Sequence, residues 1–209
     1  EFRRVLFRSN SPRRLGSTQT KLGDIGYTDV NGDGKIDGED QVRIGKPTMP
    51  HFTYAFDFSL GYEGFTLSGL LYGTGERYMT FGNRYQSGEG KYLYYENQLN
   101  YWRPDNTGAD FPRISISSGV NGNNNKAGST FWMRNASYLR LKDLQLSYDF
   151  KYKYLKRCDW LQTCRVNLSG SNLFTISGVS KFFDPETSST SGDGYPVQRV
   201  YSIGVTIGF

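Results

Sequence analysis

Tyr201-Ser-Ile-Gly-Val-Thr-Ile-Gly-Phe209 is a strict alternation: Tyr201, Ile203, Val205, Ile207 and Phe209 share one parity, Ser202, Gly204, Thr206 and Gly208 the other. Successive side chains of a strand point to opposite faces, so the stretch predicts a strand with one apolar face and one small or polar face. The apolar parity runs to the last residue with no polar cap after it, as in the final strand of an outer-membrane barrel. About nine to eleven tilted residues suffice for a strand to cross a bilayer.

The same period recurs upstream. Phe52, Tyr54, Phe56, Phe58 and Leu60 alternate with Thr53, Ala55, Asp57 and Ser59, Gly61-Tyr-Glu-Gly64 reads as a turn, and Phe65, Leu67, Gly69 and Leu71 alternate with Thr66, Ser68 and Leu70. Residues 52–72 are therefore expected to form a hairpin. From Tyr138 onward, Leu139 and Leu141 take one parity and Leu144, Leu146, Tyr148 and Phe150 the other, a slip near Asp143 that predicts a β-bulge. Residues 151–163 read as a turn with room for a short helix, and 165–174 as a strand with Val166 and Leu168 opposite Asn167 and Ser169. The expected fold class is all-β, with about five antiparallel strands of a large transmembrane barrel left incomplete. The strands are joined short, long, short, long. The long stretches, 73–137 and 175–196, are rich in Gly, Asn, Ser and Tyr, a length that a compact soluble domain seldom carries but that outer-membrane barrels carry routinely. On that rhythm the short turns face the periplasm and the long loops, with everything before Phe52, face outward.

Composition agrees. The chain of 209 residues carries 16 Tyr, 14 Phe and 25 Gly, with 16% aromatic residues. Its mean hydropathy is -0.60, and no apolar run approaches the roughly 18 to 20 residues of a membrane helix. If the chain crosses a membrane it does so as a barrel, because only helices and closed barrels satisfy every backbone polar group in lipid. The net charge of +5 does not indicate nucleic acid. Arg3, Arg4, Arg8, Arg13 and Arg14 lie in the first fourteen residues against Glu1 alone, and the remainder carries only +1. Residues 1–9 read as a translated linker or assembly scar, 1–19 as an artefact or unstructured lead-in, and 20–209 as barrel sequence. The absence of a signal peptide marks the chain as an expected fragment. Cys158 and Cys164 fit no metal or redox motif and either stay free or pair in an oxidising periplasm.

One stretch carries coordination chemistry. Asp29-Val-Asn31-Gly-Asp33-Gly34-Lys35-Ile-Asp37-Gly-Glu-Asp40 follows the twelve-position calcium loop. Asp29, Asn31, Asp33, Asp37 and Asp40 supply side-chain oxygens, Lys35 supplies its carbonyl, and Gly34 stands where the loop must turn sharply. Asp40 replaces the longer glutamate of that pattern, which lowers the expected affinity, and flanking helices are missing. The expectation is a structural Ca2+ site. The other reading is a turn ordered by its own side-chain to backbone bonds.

Several short motifs in order then resemble a known family: Gly23 through Asp37, Ile44-Gly45 with Pro47, Phe52-Thr-Tyr54, Phe131-Trp-Met-Arg134, Ser137 through Lys142, Asn172-Leu-Phe174, Asp184-Pro185, Tyr195-Pro196 and Tyr201 through Phe209. Together, from about residue 20 to the end, they look like the C-terminal part of SusC/RagA-type TonB-dependent outer-membrane transporters. The resemblance implies a much longer protein, with a plug inside a barrel of roughly 22 strands, located in the cell outer membrane. It also implies a SusD-like surface lipoprotein as lid, energy from TonB through a plug that this sequence lacks, and import of oligosaccharides or peptides. This part would supply barrel wall, closing strand and outer loops in contact with outer-membrane lipid.

Tyr85, Tyr92, Tyr94, Tyr95, Tyr101 and Trp102 crowd the first long stretch. Flat rings there either stack on sugars or the lid protein, or form cores within folded loops and girdles at the membrane interface; the second reading is preferred, and none is assigned as a binding residue. The alternative for the whole chain is a secreted, calcium-stabilised β-sandwich that binds carbohydrate, which leaves the apolar last residue and the alternating loop lengths unexplained. An enzyme is not expected: His51 is the single histidine, no nucleophile elbow is present, and Pro185 between Asp184 and Glu186 marks a turn.

Overall fold

The computed structural model describes residues 13–16, 20–82, 85–86, 95–114, 123–187, 190, 194–195 and 197–209. The expectation for residues 1–9, most of the lead-in, and Tyr92, Tyr94, Pro196 and most of Gly119–Asn123 and Ser191–Gly194 lie outside these. Among the described residues seven strands are present: β1 (Phe52–Tyr62), β2 (Phe65–Gly75), β3 (Tyr78–Thr80), β4 (Met133–Asn135), β5 (Tyr138–Asp149), β6 (Thr163–Ser177) and β7 (Val200–Gly208). The chain divides into two compact units.

The unit made of residues 47–78, 135–180 and 195–209 holds a five-stranded antiparallel sheet in the order β1-β2-β5-β6-β7. The expected hairpin forms with Phe52 opposite Gly75 and Tyr62 opposite Phe65. Its two-residue turn is Glu63 (φ 46°) and Gly64 (φ 84°), the left-handed pair whose twist suits adjacent strands. The parity slip of β5 is a bulge at Lys142: Leu141 pairs with Leu71, and Asp143 with Leu70. The same place is irregular against β6, where Leu141 pairs with Phe174 and Asp143 with Ser171. Residues 150–162 form a compact turn that opens on a 3-10 turn (Phe150–Tyr152), where a turn with room for a short helix was expected. The short turns lie at one end of this sheet and the long connections leave from the other.

The other unit comprises residues 1–46, 79–134 and 181–194. It lacks strand periodicity but has a core. Phe81 lies at its centre, with ring centroids at 4.8 Å from Tyr85, 4.8 Å from Phe182, 5.8 Å from Phe183 and 6.1 Å from Phe111. Arg134 sits over the Phe81 ring at 4.9 Å, a cation–π arrangement that lets a charged residue share an aromatic core.

Candidate functional site

Register fixes what each side of the large sheet presents. Leu60 faces Leu67, Leu67 faces Leu146, Leu146 faces Leu168 and Leu168 faces Ile203, so one row of aliphatic side chains crosses all five strands. The neighbouring rows behave alike: Tyr62, Phe65, Tyr148, Val166 and Val205 form one, Phe56, Leu71, Leu141 and Phe174 another. The bulge at Lys142 keeps both halves of β5 on this face, since without it a one-residue slip would turn half of the leucines over. The opposite face carries Thr66, Ser147, Asn167 and Gly204 in one row and Ser59, Ser68, Gln145, Ser169 and Ser202 in the next. Arg140 lies buried there, its Nε donating to Thr175 Oγ1 at 2.8 Å.

The apolar face is open. Ile203 is 73% exposed, Val205 62% and Ile207 53%, and Phe56, Leu60, Phe65, Leu146, Leu168 and Ile176 are exposed with them. Isolated apolar side chains on a surface need no explanation, but a contiguous apolar face of this extent marks a surface made for another apolar phase or partner. A sealed sandwich core, which the alternative reading required, would have buried these residues.

The six residues expected to hold calcium lie in one tight loop. Gly34 (φ 82°), the residue expected to turn sharply, and Gly32 (φ 80°) are both left-handed. Asp29 accepts the N–H of Gly32 at 2.6 Å and of Gly34 at 2.8 Å. Asn31 accepts from Asp33, Asp33 from Lys35, and Asp37 from Glu39, at 3.0, 2.8 and 2.9 Å. Asp40 closes the loop by accepting from Val30 and Asp37, both at 2.8 Å, and these backbone bonds hold its carboxyl below the usual range. The oxygen-rich donor set fits a hard cation. As folded, the side chains bond to the loop's own backbone, and among the described residues no three His, Cys, Asp or Glu side chains are gathered as a metal cage.

A buried polar network beside this loop escaped sequence reasoning. Asp24, with no solvent exposure, receives Arg113 Nε at 3.1 Å and Nη2 at 2.9 Å, a bidentate pair. Asn125 donates to Asp24 at 3.0 Å and accepts from the Ile25 N–H at 2.8 Å. Asn124 donates to the Ile25 carbonyl at 2.8 Å, and Trp132 Nε1 to the Asn125 carbonyl at 2.8 Å. Tyr27 donates to the Asn124 carbonyl at 2.5 Å, and burial pushes its phenol up to about 12. The Asn-rich run that reads as solvated loop thus supplies interior hydrogen-bond hubs; the partners are some hundred residues away, and no local pattern points to them.

Among the described aromatic residues singled out in the long stretch, Tyr85 is core and Tyr95, Tyr101 and Trp102 are half-buried. Tyr85 is 3% exposed and stacks on Tyr95 at 4.8 Å, while the Trp102 ring lies against Gly23, where a Cβ would come within 2.2 Å of it. Tyr101 is half-buried under Arg103 at 5.3 Å. Cys158 and Cys164 are free thiols.

Comparison with known proteins agrees with the two-faced sheet. No protein-family model matches the chain. It is 27% identical over 202 residues to TonB-dependent receptor P26 of Formosa agariphila, which covers 90% of this chain and 20% of that protein. It is 26% identical over 196 residues to TonB-dependent receptor P3 of the same organism, covering 88% and 19%. Among solved structures, the RagAB peptide importer in its open-open state matches 93% of this chain and 21% of that chain, with a TM-score of 0.67 and 26% identity. The closed-closed state gives 0.65 and 26% over 90% of this chain and 21% of that one. The chain spans about a fifth of the length of the curated relatives it matches. The resemblance to SusC/RagA-type TonB-dependent transporters holds, and the all-β, antiparallel sheet is similar to part of the barrel of such proteins.

Proposed function

We propose that this chain works as wall and outer-loop segment of an outer-membrane TonB-dependent transporter that imports oligosaccharides or peptides together with a SusD-like surface lipoprotein. The observation that carries the proposal is the open apolar face running through five strands. In this reading lipid covers that face, the polar face lines the lumen, the short turns lie in the periplasm and the long connections reach outward. Likeness to a peptide importer supports the peptide limb of the substrate class. Substrate held under the lipoprotein lid contacts the outer loops and passes when TonB displaces the plug, while the wall stays a rigid frame; no catalytic step is involved. The full-length gene product is expected in the detergent-extracted outer-membrane fraction with heat-modifiable gel mobility, and in complex with a surface lipoprotein. A soluble, monomeric product would refute the reading.

The Asp29–Asp40 loop belongs to the same proposal as a structural calcium site held by Asp29, Asn31, Asp33, Asp37, Asp40 and the Lys35 carbonyl. Its support is the spacing, the donor chemistry and the left-handed turns at Gly32 and Gly34. Calcium is expected to raise protease resistance across residues 24–45, and Asp33→Ala to abolish the gain. A digestion pattern indifferent to calcium, identical in the variant, would rule the site out.

A further inference from the structure

The short-turn end of the sheet differs in chemistry from the rest of the apolar face. Lys151, Lys153, Lys156 and Arg157 fall within seven residues, interleaved with Tyr152 and Tyr154 and followed by Trp160. Lys151 is committed internally, its Nζ donating to the carbonyls of Cys158 and Leu161. Lys153, Lys156 and Arg157 are exposed. Each lysine leans on a ring, Lys156 at 5.2 Å from Tyr152 and Lys153 at 6.0 Å from Tyr154. The carboxylates of the same end are otherwise placed: Asp149 lies 3.8 Å from Arg165, and the exposed Glu63 and Asp159 form no ion pair with the three cations among the described residues. The aromatic surface continues to the residue after β7, where Trp160 of the turn, 68% exposed, stacks on Phe209 at 5.8 Å and 15°.

We infer that this turn is a docking surface for anionic glycerophospholipid head groups in the bilayer leaflet that borders the short-turn end. The inference rests on the barrel-wall reading and adds the lipid that this wall selects. Tyr and Trp bodies sit at the head-group level of a bilayer, where an apolar ring and a polar tip are both satisfied. The three unpaired cations stand at the rim of the same rings, where lipid phosphates lie. A zwitterionic head group brings an ammonium that these cations repel; an anionic one brings phosphate charge alone. Each such cation near an anionic surface is worth about fivefold in affinity, so the three together are worth roughly a hundredfold.

The test uses the full-length gene product in neutral detergent, with retention of phosphatidylglycerol and phosphatidylcholine compared by native mass spectrometry. The wild type is expected to prefer phosphatidylglycerol, and the preference to fall by roughly a hundredfold in a Lys153→Gln, Lys156→Gln, Arg157→Gln variant. It should persist in Lys153→Arg with Lys156→Arg and weaken in high salt. Equal retention of both lipids by the wild type, or an unchanged preference in the glutamine variant, overturns the inference, as does abolition of the preference by millimolar inorganic phosphate, which would mark a free-anion site. Heat-modifiable mobility is scored on the same samples. Its loss in the wild type sinks the barrel reading, whereas its retention without lipid preference sinks this inference alone.

Discussion

Asp24 is a fully buried charge that Arg113 pairs among several hydrogen-bond donors. Its buried carboxylate is matched by the Arg113 fork and by donors from Asn125 and the Lys21 N–H at 2.9 Å, so the charge is paired and hydrogen-bonded as an interior charge must be. Arg113→Met would strand that carboxylate, at a cost of about 3 to 5 kcal/mol to this unit. Adding Asp24→Leu should return much of the loss, because a buried pair is often replaceable by apolar groups although neither half is removable alone. Limited proteolysis of the full-length gene product at residues 20–30 and 105–114 reads the difference. If the single and double variants are cut equally fast, Asp24 is not held as a charge by Arg113. Neither residue was legible as a partner of the other in the sequence. An aspartate at 24 and an arginine at 113 carry no periodic signal, whereas the six residues of the Asp29–Asp40 loop do, because they are spaced along one short segment.

Strand β2 shows how an element can be weak in sequence and firm in place. Its apolar parity carries Gly69, Gly73 and Gly75, residues that a strand interior tolerates poorly. Opposite each stands an aromatic residue of β1: Phe58, Tyr54 and Phe52. The rings lie over the bare backbone, and the Tyr54 hydroxyl reaches across β2 to donate to the Tyr138 carbonyl of β5 at 3.0 Å, so one side chain ties three strands. A Cβ at Gly73 would sit 2.4 Å from the Tyr138 carbonyl oxygen and 2.4 Å from the Tyr54 ring. Because one of those neighbours is backbone, Gly73→Ala is expected to cost about 1 to 3 kcal/mol through overpacking. Gly61→Ala, whose nearest neighbour would be at 3.9 Å, serves as the tolerated control. Urea titration of the heat-modifiable form separates them, and equal midpoints would show that the ring over Gly73 contributes nothing. Alternation exposed the hairpin and the bulge in the sequence because a strand's period is local; the ring-over-glycine pairing needed the register, which only the paired strands reveal.

At the scale of the whole chain, legibility divides along the two units. The sheet was readable because strands with one apolar and one polar face carry a period of two along the sequence. The other unit was not, because its core is assembled from irregular segments, with the Ile25 N–H bonded to Asn125 across 100 positions, and a long Gly- and Asn-rich stretch shows nothing of that locally. Length and composition therefore gave loops where the fold has a packed interior around Phe81. The assignment of faces, by contrast, permits a direct trial. Ile203 lies on the open side of β7 and Ser202 on the other, next to Ser169. If hydrocarbon covers the first side, Ile203→Arg places a guanidinium in lipid, at about 2 to 4 kcal/mol near the midplane, while Ser202→Arg places it in a polar lumen at far smaller cost. The expected outcome in the full-length gene product is a lowered urea midpoint and less heat-modifiable protein in the outer-membrane fraction for Ile203→Arg, with Ser202→Arg near wild type. Water on both sides would make the two substitutions equally mild, and a reversed order would mean that the polar face is the one pressed against an apolar neighbour.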